Sequence, residues 1–303
     1  MNQLRLRDFE IEISPVDDDG RYPVAVLNSP SGQARAAMAF PWPSAELATR
    51  LANLEDAVLG GAESSQVQIM GAQLFDALLA GEVRTVYSRS RQAVADSGEG
   101  LRLKLRINAP ELAAVPWEFL YDPYAGEFLA LSRLTPVVRY LELPLGEQML
   151  AVKPPLRILG MVAGPSDAPP LDVEREKTRL EQAMQPLQTA GKVELVWLEG
   201  QSWRSVQAAM QAGPWHVLHF VGHAAFDARS GEGILLLTND DGLATPVSAG
   251  QLAGLLGDHR TLRLAVLNAC EGARGSEQDR FSSIAAGLVR RGLPAVLAMQ
   301  YAI

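Results

Sequence analysis

Two side chains in this sequence have the chemistry of a nucleophile and a base for covalent catalysis. Cys270, the single cysteine of the chain, directly follows the apolar run LAVLNA, and His223 directly follows the apolar run HVLHFVG. A thiol is mostly protonated at neutral pH and becomes a strong nucleophile when a base or a cation lies beside it. An imidazole can be that base, so His223 and Cys270 together predict cysteine-dependent acyl transfer.

Both apolar runs are predicted to be strands of one parallel sheet, and each candidate residue lies at a strand end. Sequential strands are usually neighbours, and function in open α/β sheets collects at the carboxyl ends of the strands. The flanking glycines Gly222 and Gly272 would allow close approach of a peptide backbone. The backbone N–H groups of Cys270, Gly222 and Ala224 are the candidates for stabilising an oxyanion.

Simpler interpretations of the same residues stay open. A lone cysteine at the end of an apolar strand can be a small core residue, and a lone histidine there can be structural. His216, His219 and His223 suggest zinc, but in a strand His216 points away from the other two, so we expect no metal site. We expect His219 to be buried and bonded to the backbone. The sequence contains neither a G-x-S-x-G serine motif nor a glycine-rich or lysine-bearing phosphate loop.

From about residue 151 onwards, short apolar runs alternate with segments of helical length. Strands buried on both faces read as continuous apolar runs, and their alternation with helices predicts a parallel α/β sheet. A hairpin is expected to interrupt this order, with a strand at 234–237 and a turn at 239–242. The predicted strands are 157–162, 193–198, 217–221, 264–267 and 295–299, and the predicted helices are 172–187, 202–211, 248–256 and 280–291.

The first half of the chain instead shows the period-two alternation of half-buried strands. The run LRLKLRI at 101–107 is the clearest case, and we expect its basic face to lie in water. A helix is predicted to begin at Ser44 and a longer one to span about 67–94. The other predicted strands are 9–13, 22–27, 34–40, 128–131 and 136–141.

Composition excludes several classes of protein. The 303 residues are 48% hydrophobic and 20% charged, which is typical of a globular chain and not of a disordered one. The net charge of −8 argues against a nucleic-acid partner, and no run approaches the apolar length of a membrane span. The N-terminus lacks the apolar core of a signal peptide, and a single thiol fits a reducing compartment, so we expect a soluble cytoplasmic protein.

The two motifs resemble those of the CHAT domain, a caspase-like family of clan CD type cysteine peptidases. The run HVLHFVGH at 216–223 resembles the histidine motif of this family, and LNACEGA at 267–273 resembles its cysteine motif. The runs VPWEFL at 115–120, FLAL at 128–131 and AVLAMQ at 295–300 also resemble sequences of the family. The resemblance covers most of residues 100–303 and, more loosely, the N-terminal half.

The resemblance implies a caspase/separase-like α/β fold and a Cys–His dyad without an obligatory third residue. His223 would be the base and Cys270 the nucleophile, with no metal or organic cofactor. The substrate would be a protein or peptide, cleaved in a regulated signalling or defence role that leaves room for a regulatory protein partner. We divide the chain into an α+β scaffold or docking region (1–100), the N-terminal part of the CHAT domain (101–150) and the catalytic α/β part (151–303), with a proline-marked boundary near 144–155.

Two departures from the family pattern keep an alternative open. Ala224 stands where the family usually has glycine, and the sequence stops at Ile303, so we expect the last part of the domain to be missing. An alanine would weaken the site if the position needs a positive φ or close contact with substrate. The alternative is a catalytically inactive pseudo-protease that acts as an interaction module. A cysteine-dependent hydrolase or transferase for non-peptide acyl groups is a third possibility, because fold alone does not determine the substrate.

Overall fold

The protein folds into two compact units, residues 1–142 and 143–303. The structure is a computed structural model that describes residues 4–43, 46–47, 49–51, 53, 64–113, 115–141, 151–227, 229, 232–269 and 280–299. None of the helices within these ranges is long and apolar enough to cross a membrane. The predicted helix start at Ser44 lies outside the described residues, although residues 46–47, 49–51 and 53 are helical.

The first unit contains a mixed five-stranded sheet, a two-stranded ribbon and two long helices. Its strands are β1 (Leu6–Ile13), β2 (Tyr22–Asn28), β3 (Ala34–Met38), β4 (Gly100–Ile107), β5 (Tyr121–Asp122), β6 (Glu127–Phe128) and β7 (Val137–Arg139), and its helices are α1 (Ser64–Leu78) and α2 (Gly81–Asp96). The sheet order is β3-β2-β1-β4-β7, and β5 pairs with β6. Because β4 pairs with β1, residues 100–107 belong to the same sheet as the N-terminal strands; the division at residue 100 stays a prediction.

Two local predictions for this unit differ from the structure. The single helix predicted over 67–94 is two helices, because Gly81 takes a φ of +54°, a left-handed conformation that favours glycine and interrupts the helical path. The strand predicted over 128–131 ends at Phe128 and continues as a short 3-10 helix, Leu129–Leu131. The short run at 128–131 is apolar enough for a strand or a helical turn, so periodicity alone could not separate the two.

The basic face of β4 is covered by acidic side chains and does not lie in water as predicted. The strands β1 and β4 are parallel and in register, with the pairs Asp8–Arg102, Glu10–Lys104 and Glu12–Arg106. Arg106 donates hydrogen bonds to both neighbouring glutamates, at 3.0 and 3.1 Å. Lys104 is only 6% exposed and lies 3.9 Å from the ring centre of Tyr140. Two amphipathic strands with opposite charges have therefore neutralised each other's polar faces.

The second unit contains the predicted, mostly parallel sheet. Its strands are β8 (Leu156–Val162), β9 (Val193–Trp197), β10 (Val217–Asp227), β11 (Glu232–Thr238), β12 (Ala244–Ser248), β13 (Leu264–Ala269) and β14 (Ala295–Ala298), and its helices are α3 (Val173–Thr189), α4 (Trp203–Gln211), α5 (Ala249–Gly257) and α6 (Arg280–Arg290). The parallel strands follow the order β9-β8-β10-β13-β14. The predicted hairpin is the antiparallel pair β11–β12. The mixed α/β fold class predicted from the sequence is confirmed.

Helices cover both faces of this sheet, but unequally. Side chains of α4, α5 and α6, such as Met210, Leu252 and Ile284, form a large core with one face of the strands. A smaller apolar cluster on Ile158, Val193 and Val217 includes Met184 of α3. The predicted starts of α3, α4 and α5 are each one residue too early. The residue predicted to start each helix is its N-cap, and its side chain accepts a backbone N–H of the first turn; these caps are Asp172, Ser202 and Ser248.

Candidate active site

His223 lies where β10 changes its pairing partner. Upstream of it, residues 217–222 pair in parallel with β13, and from His223 onwards the strand pairs antiparallel with β11. The last pair between β10 and β13 is Gly222 with Ala269, the residues that directly precede His223 and Cys270 in the chain. The predicted adjacency of the two strands is therefore confirmed. Cys270 itself lies outside the described residues.

One hydrogen bond assigns the tautomer of the neutral His223 ring. The side chain is buried, and its Nε2 lies 3.0 Å from the carbonyl oxygen of Pro169. Because a carbonyl oxygen can only accept a hydrogen bond, Nε2 must carry the hydrogen of the neutral imidazole. Nδ1 then has the lone pair and is the ring atom able to take up a proton.

Pro169 presents its carbonyl from a stiff backbone. Its own ring restricts φ, and the ring of Pro170 after it disfavours helical ψ values at Pro169. Sequence analysis did not single out this residue. The Pro-Pro pair was a visible signal of stiffness, but nothing in the local sequence showed that a carbonyl 54 residues before His223 reaches its ring.

The segment between β8 and α3, residues 163–172, is here named the Pro169 loop. Its first residue, Ala163, donates its N–H to the carbonyl of Val221 at 2.9 Å, and the next N–H, from Gly164, donates to Gln201 Oε1 at 2.8 Å. Its last residue, Asp172, caps α3. Both ends of the loop are thus held by regular elements of the parallel sheet unit.

Gly222 allows β10 to approach this loop. A Cβ atom at this position would lie 2.5 Å from Phe220 Cζ and 2.9 Å from the carbonyl oxygen of Ala163, both too close for an ordinary contact. The close approach expected at Gly222 is therefore one to the protein's own backbone. Its N–H as an oxyanion donor stays a prediction.

Ala224 fits its position without strain. It is a strand residue paired with Leu235 of β11, its side chain is buried in the core, and no described residue other than glycine has a positive φ. The methyl group therefore does not conflict with the backbone conformation, which was one of the two grounds for expecting a weakened site.

The other two histidines of this strand region, His216 and His219, have contacts and surroundings that differ from those of His223. His216 Nδ1 accepts the N–H of Arg157 at 2.9 Å, and burial, together with the charges of Arg263 and Arg157, lowers the pKa of its imidazole. His219 is half-buried and not fully buried as predicted; burial lowers its pKa, and the charge of Glu176 partly opposes this. No group of three or more His, Cys, Asp or Glu side chains suited to a metal ion occurs among the described residues.

A polar pair near the end of β13 was also missed by sequence analysis. Asn268 pairs with Val221 in the sheet, so its side chain lies on the same face as that of His223. Its Nδ2 donates to Glu176 Oε2 at 3.4 Å, and Glu176 in turn pairs with Arg179 at 2.9 Å. The start of α3 thus brings a carboxylate to the strand that leads to Cys270.

Comparison with known proteins agrees with this architecture. A model of the CHAT domain matches residues 68–303, which is more than half of the chain. No curated protein matches the chain. With the α/β fold and the strand order established, the match shows that this chain belongs to the caspase-like CHAT domain family.

Proposed function

We propose that this chain is a cysteine endopeptidase in which Cys270 is the nucleophile and His223 the general base. The observation that carries the proposal is the pairing of Gly222 with Ala269 on adjacent parallel strands. Each candidate residue is bonded to one member of this pair, at the carboxyl end of the sheet where catalytic groups collect. Membership of the CHAT family supports the same assignment.

The reaction follows from the tautomer of the imidazole. Nδ1 of His223 accepts the thiol proton, and the thiolate forms a bond to the carbonyl carbon of the scissile peptide. The oxyanion accepts hydrogen bonds from backbone N–H groups, for which Cys270, Gly222 and Ala224 are the candidates. The imidazolium then gives its proton to the leaving amine as the C–N bond breaks. Water, deprotonated by the imidazole, hydrolyses the thioester and restores the thiol.

In this scheme the carbonyl of Pro169 orients the imidazole of His223. It holds the ring through Nε2, and its partial negative charge stabilises the imidazolium that forms when Nδ1 is protonated. No third side chain is needed, and the scheme uses no metal or organic cofactor. We propose a protein or peptide substrate, cleaved in the cytoplasm in a regulated signalling or defence role.

Covalent capture tests the proposal. The protein is incubated with peptidyl acyloxymethyl ketones that differ in the residue before the reactive group, and intact mass reports the adduct. We expect labelling that depends on the peptide and is lost in Cys270→Ala and in His223→Ala. His259→Ala removes another of the four histidines, from the segment between α5 and β13, and should label like the wild type.

The opposite result has a clear meaning. In that result, the thiol of the folded protein reacts with no peptide reagent and reacts with iodoacetamide only after denaturation. It would contradict the peptidase proposal and favour an interaction module. Labelling by small acyl reagents and not by peptides would favour a hydrolase or transferase for non-peptide acyl groups. Full labelling of His223→Ala would exclude the dyad.

A further inference from the structure

The Pro169 loop is fastened to the turn that joins β11 and β12. This turn, residues 239–243, receives two hydrogen bonds from Ser166: its N–H and its hydroxyl both donate to the carbonyl of Gly242, at 2.9 and 3.1 Å. In the opposite direction, the N–H of Ala244 donates to Asp167 Oδ1 at 2.7 Å. Asp167 precedes Pro169 by two residues, so this anchor lies close along the chain to the carbonyl that holds His223.

The turn is a firm anchor because its own hydrogen bonds are satisfied. Asn239 Oδ1 accepts the N–H groups of Asp241 and Leu243, both at 2.9 Å, and the backbone of Asn239 pairs with that of Leu243. Gly242 takes a φ of +77°, which suits glycine at this place. The turn is therefore held by contacts within itself as well as by the strands on either side.

The same hairpin also holds the backbone of His223. The strand β11 pairs with the second half of β10, starting at His223 opposite Leu236. A closed path thus runs from His223 through β11 to the turn, from the turn through Asp167 to Pro169, and from Pro169 back to the imidazole. Both the base and the carbonyl that orients it are located by one hairpin.

From this closed path we infer that Asp167 is a positioning residue for His223: its bond to Ala244 keeps the Pro169 carbonyl in place to hold the Nε2–H tautomer. The inference rests on the proposed function for its effect on catalysis, but not for its effect on the ring. Loss of the anchor lets the carbonyl shift, so Nδ1 is presented to the thiol in a smaller fraction of molecules. Small displacements of catalytic groups have large effects on rate.

Three variants separate this role from a general loss of charge or fold. Asp167→Ala removes the acceptor, and Asp167→Asn keeps an oxygen that can accept from Ala244. Asp240→Ala removes the same charge from an exposed residue of the turn whose carboxylate has no partner among the described residues. The bond between Ala244 and Asp167 is exposed, so we expect the melting temperature to change little.

Two measurements are made on the full chain. The first is the rate at which Cys270 is alkylated by the preferred peptidyl ketone, which should fall about threefold to tenfold in Asp167→Ala, as for the loss of one or two hydrogen bonds. The second is the ¹⁵N NMR spectrum of the histidine rings, with the His223 signals assigned by their absence in His223→Ala. The slowly exchanging Nε2–H of His223 should be lost or weakened in Asp167→Ala. The alkylation rate and the Nε2–H signal should both return to wild-type values in Asp167→Asn and should be unchanged in Asp240→Ala.

The outcomes distinguish the two proposals. An unchanged His223 spectrum in Asp167→Ala would overturn the positioning role, whatever the alkylation rate does. Equal effects of Asp167→Ala and Asp240→Ala would overturn it as well. If wild-type Cys270 is not alkylated by any peptide reagent, the peptidase proposal fails, and the NMR comparison still decides whether Asp167 positions the ring.

Discussion

Between Nε2 of His223 and the carbonyl oxygen of Pro169, a single hydrogen bond assigns both ring nitrogens. The carbonyl takes the N–H, so the proton-accepting lone pair is at Nδ1. The sequence identified the histidine by its place after an apolar run, but the tautomer of the ring depends on a backbone atom that no side-chain motif reports. The need for glycine at position 222, one residue earlier, also depends on a distant backbone atom, because the absence of a side chain makes room for the carbonyl of Ala163.

Replacing Gly222 by alanine should destabilise the parallel sheet unit. The new methyl group would meet Phe220 and the backbone of Ala163, so we expect a loss of about 1–3 kcal/mol, as for other overpacked cores. Gly254, in α5, is the matched control because a Cβ there would meet nothing within 4 Å. Gly254→Ala should be neutral or stabilising by up to about 1 kcal/mol, since alanine is the better helix former. Thermal unfolding of both variants measures the contrast, and equal melting temperatures would argue against the close approach.

The imidazole of His216 should make stability depend on pH. Its pKa is lowered in the folded protein by burial and by the charges of Arg263 and Arg157, and its Nδ1 must stay unprotonated to accept the N–H of Arg157. As the pH falls through the ordinary value of 6.5, the unfolded chain takes up a proton before the folded one does. Stability is therefore fully present above this pH and is lost as the pH falls towards the lowered folded value.

His216→Asn tests this dependence. The amide oxygen can accept the same N–H but does not titrate, so unfolding free energies measured between pH 7 and about pH 5 should fall less steeply than in the wild type. Parallel curves for the two proteins would show that His216 does not contribute.

At the scale of the elements, the pairing of β1 with β4 decides what their charged faces do. Each strand alternates apolar and charged residues, and each one alone would be expected to turn its charges to water. Because the two strands are adjacent and in register, acidic and basic side chains interleave, and Arg106 becomes only 14% exposed. The opposite faces, with Phe9, Ile11 and Leu103, form the fully buried core of this unit.

Arg106→Met should destabilise the first unit more than Arg102→Met. The first change leaves Glu10, whose side chain is 14% exposed, and Glu12, at 24%, without their shared cation. The cost should be about 2 kcal/mol, less than for a fully buried pair because both carboxylates keep some contact with water. Arg102 is 36% exposed, and its loss should cost about 0.5 kcal/mol. Urea unfolding followed by circular dichroism provides the comparison. Similar midpoints for the two variants would mean that burial does not strengthen the Arg106 pairs.

At the scale of the whole molecule, the chain separates into two units with separate sheets. Residues 1–142 hold a five-stranded sheet with its own helices and buried core, and residues 143–303 hold the parallel sheet with the candidate site. The CHAT family match begins at residue 68, so it includes part of the first unit as well as the second. The family domain is therefore larger than the unit that carries His223.

Residues 1–142 should fold when they are expressed alone. The fragment keeps β1–β7 and the core around Phe9, Leu74 and Trp117, so we expect dispersed NMR amide signals and a cooperative thermal transition. A gradual transition with poorly dispersed signals would show instead that this unit depends on the remainder of the chain.

What the sequence by itself determined is mainly local. The alternation of apolar runs and helical segments after residue 151 predicted the strands and helices of the parallel sheet, because periodicity reflects which face of each element is buried. It also placed His223 and Cys270 directly after two apolar runs, to which the family motifs pointed as well, although β10 extends beyond the predicted strand end and His223 lies within it. The capping side chains Ser202 and Ser248 marked two helix starts to within a residue, since a cap is a contact between near neighbours.

Only the tertiary structure decided which distant segments meet. Pro169 holds a ring 54 residues away, and β1 covers the basic face of a strand more than 90 residues later. Such contacts depend on the order of strands in each sheet and on the register between them, and neither is encoded in the neighbours of any one residue. The sequence therefore indicated the candidate residues, and the folded chain determined which nitrogen of the neutral His223 ring has the lone pair and which backbone carbonyl holds the ring.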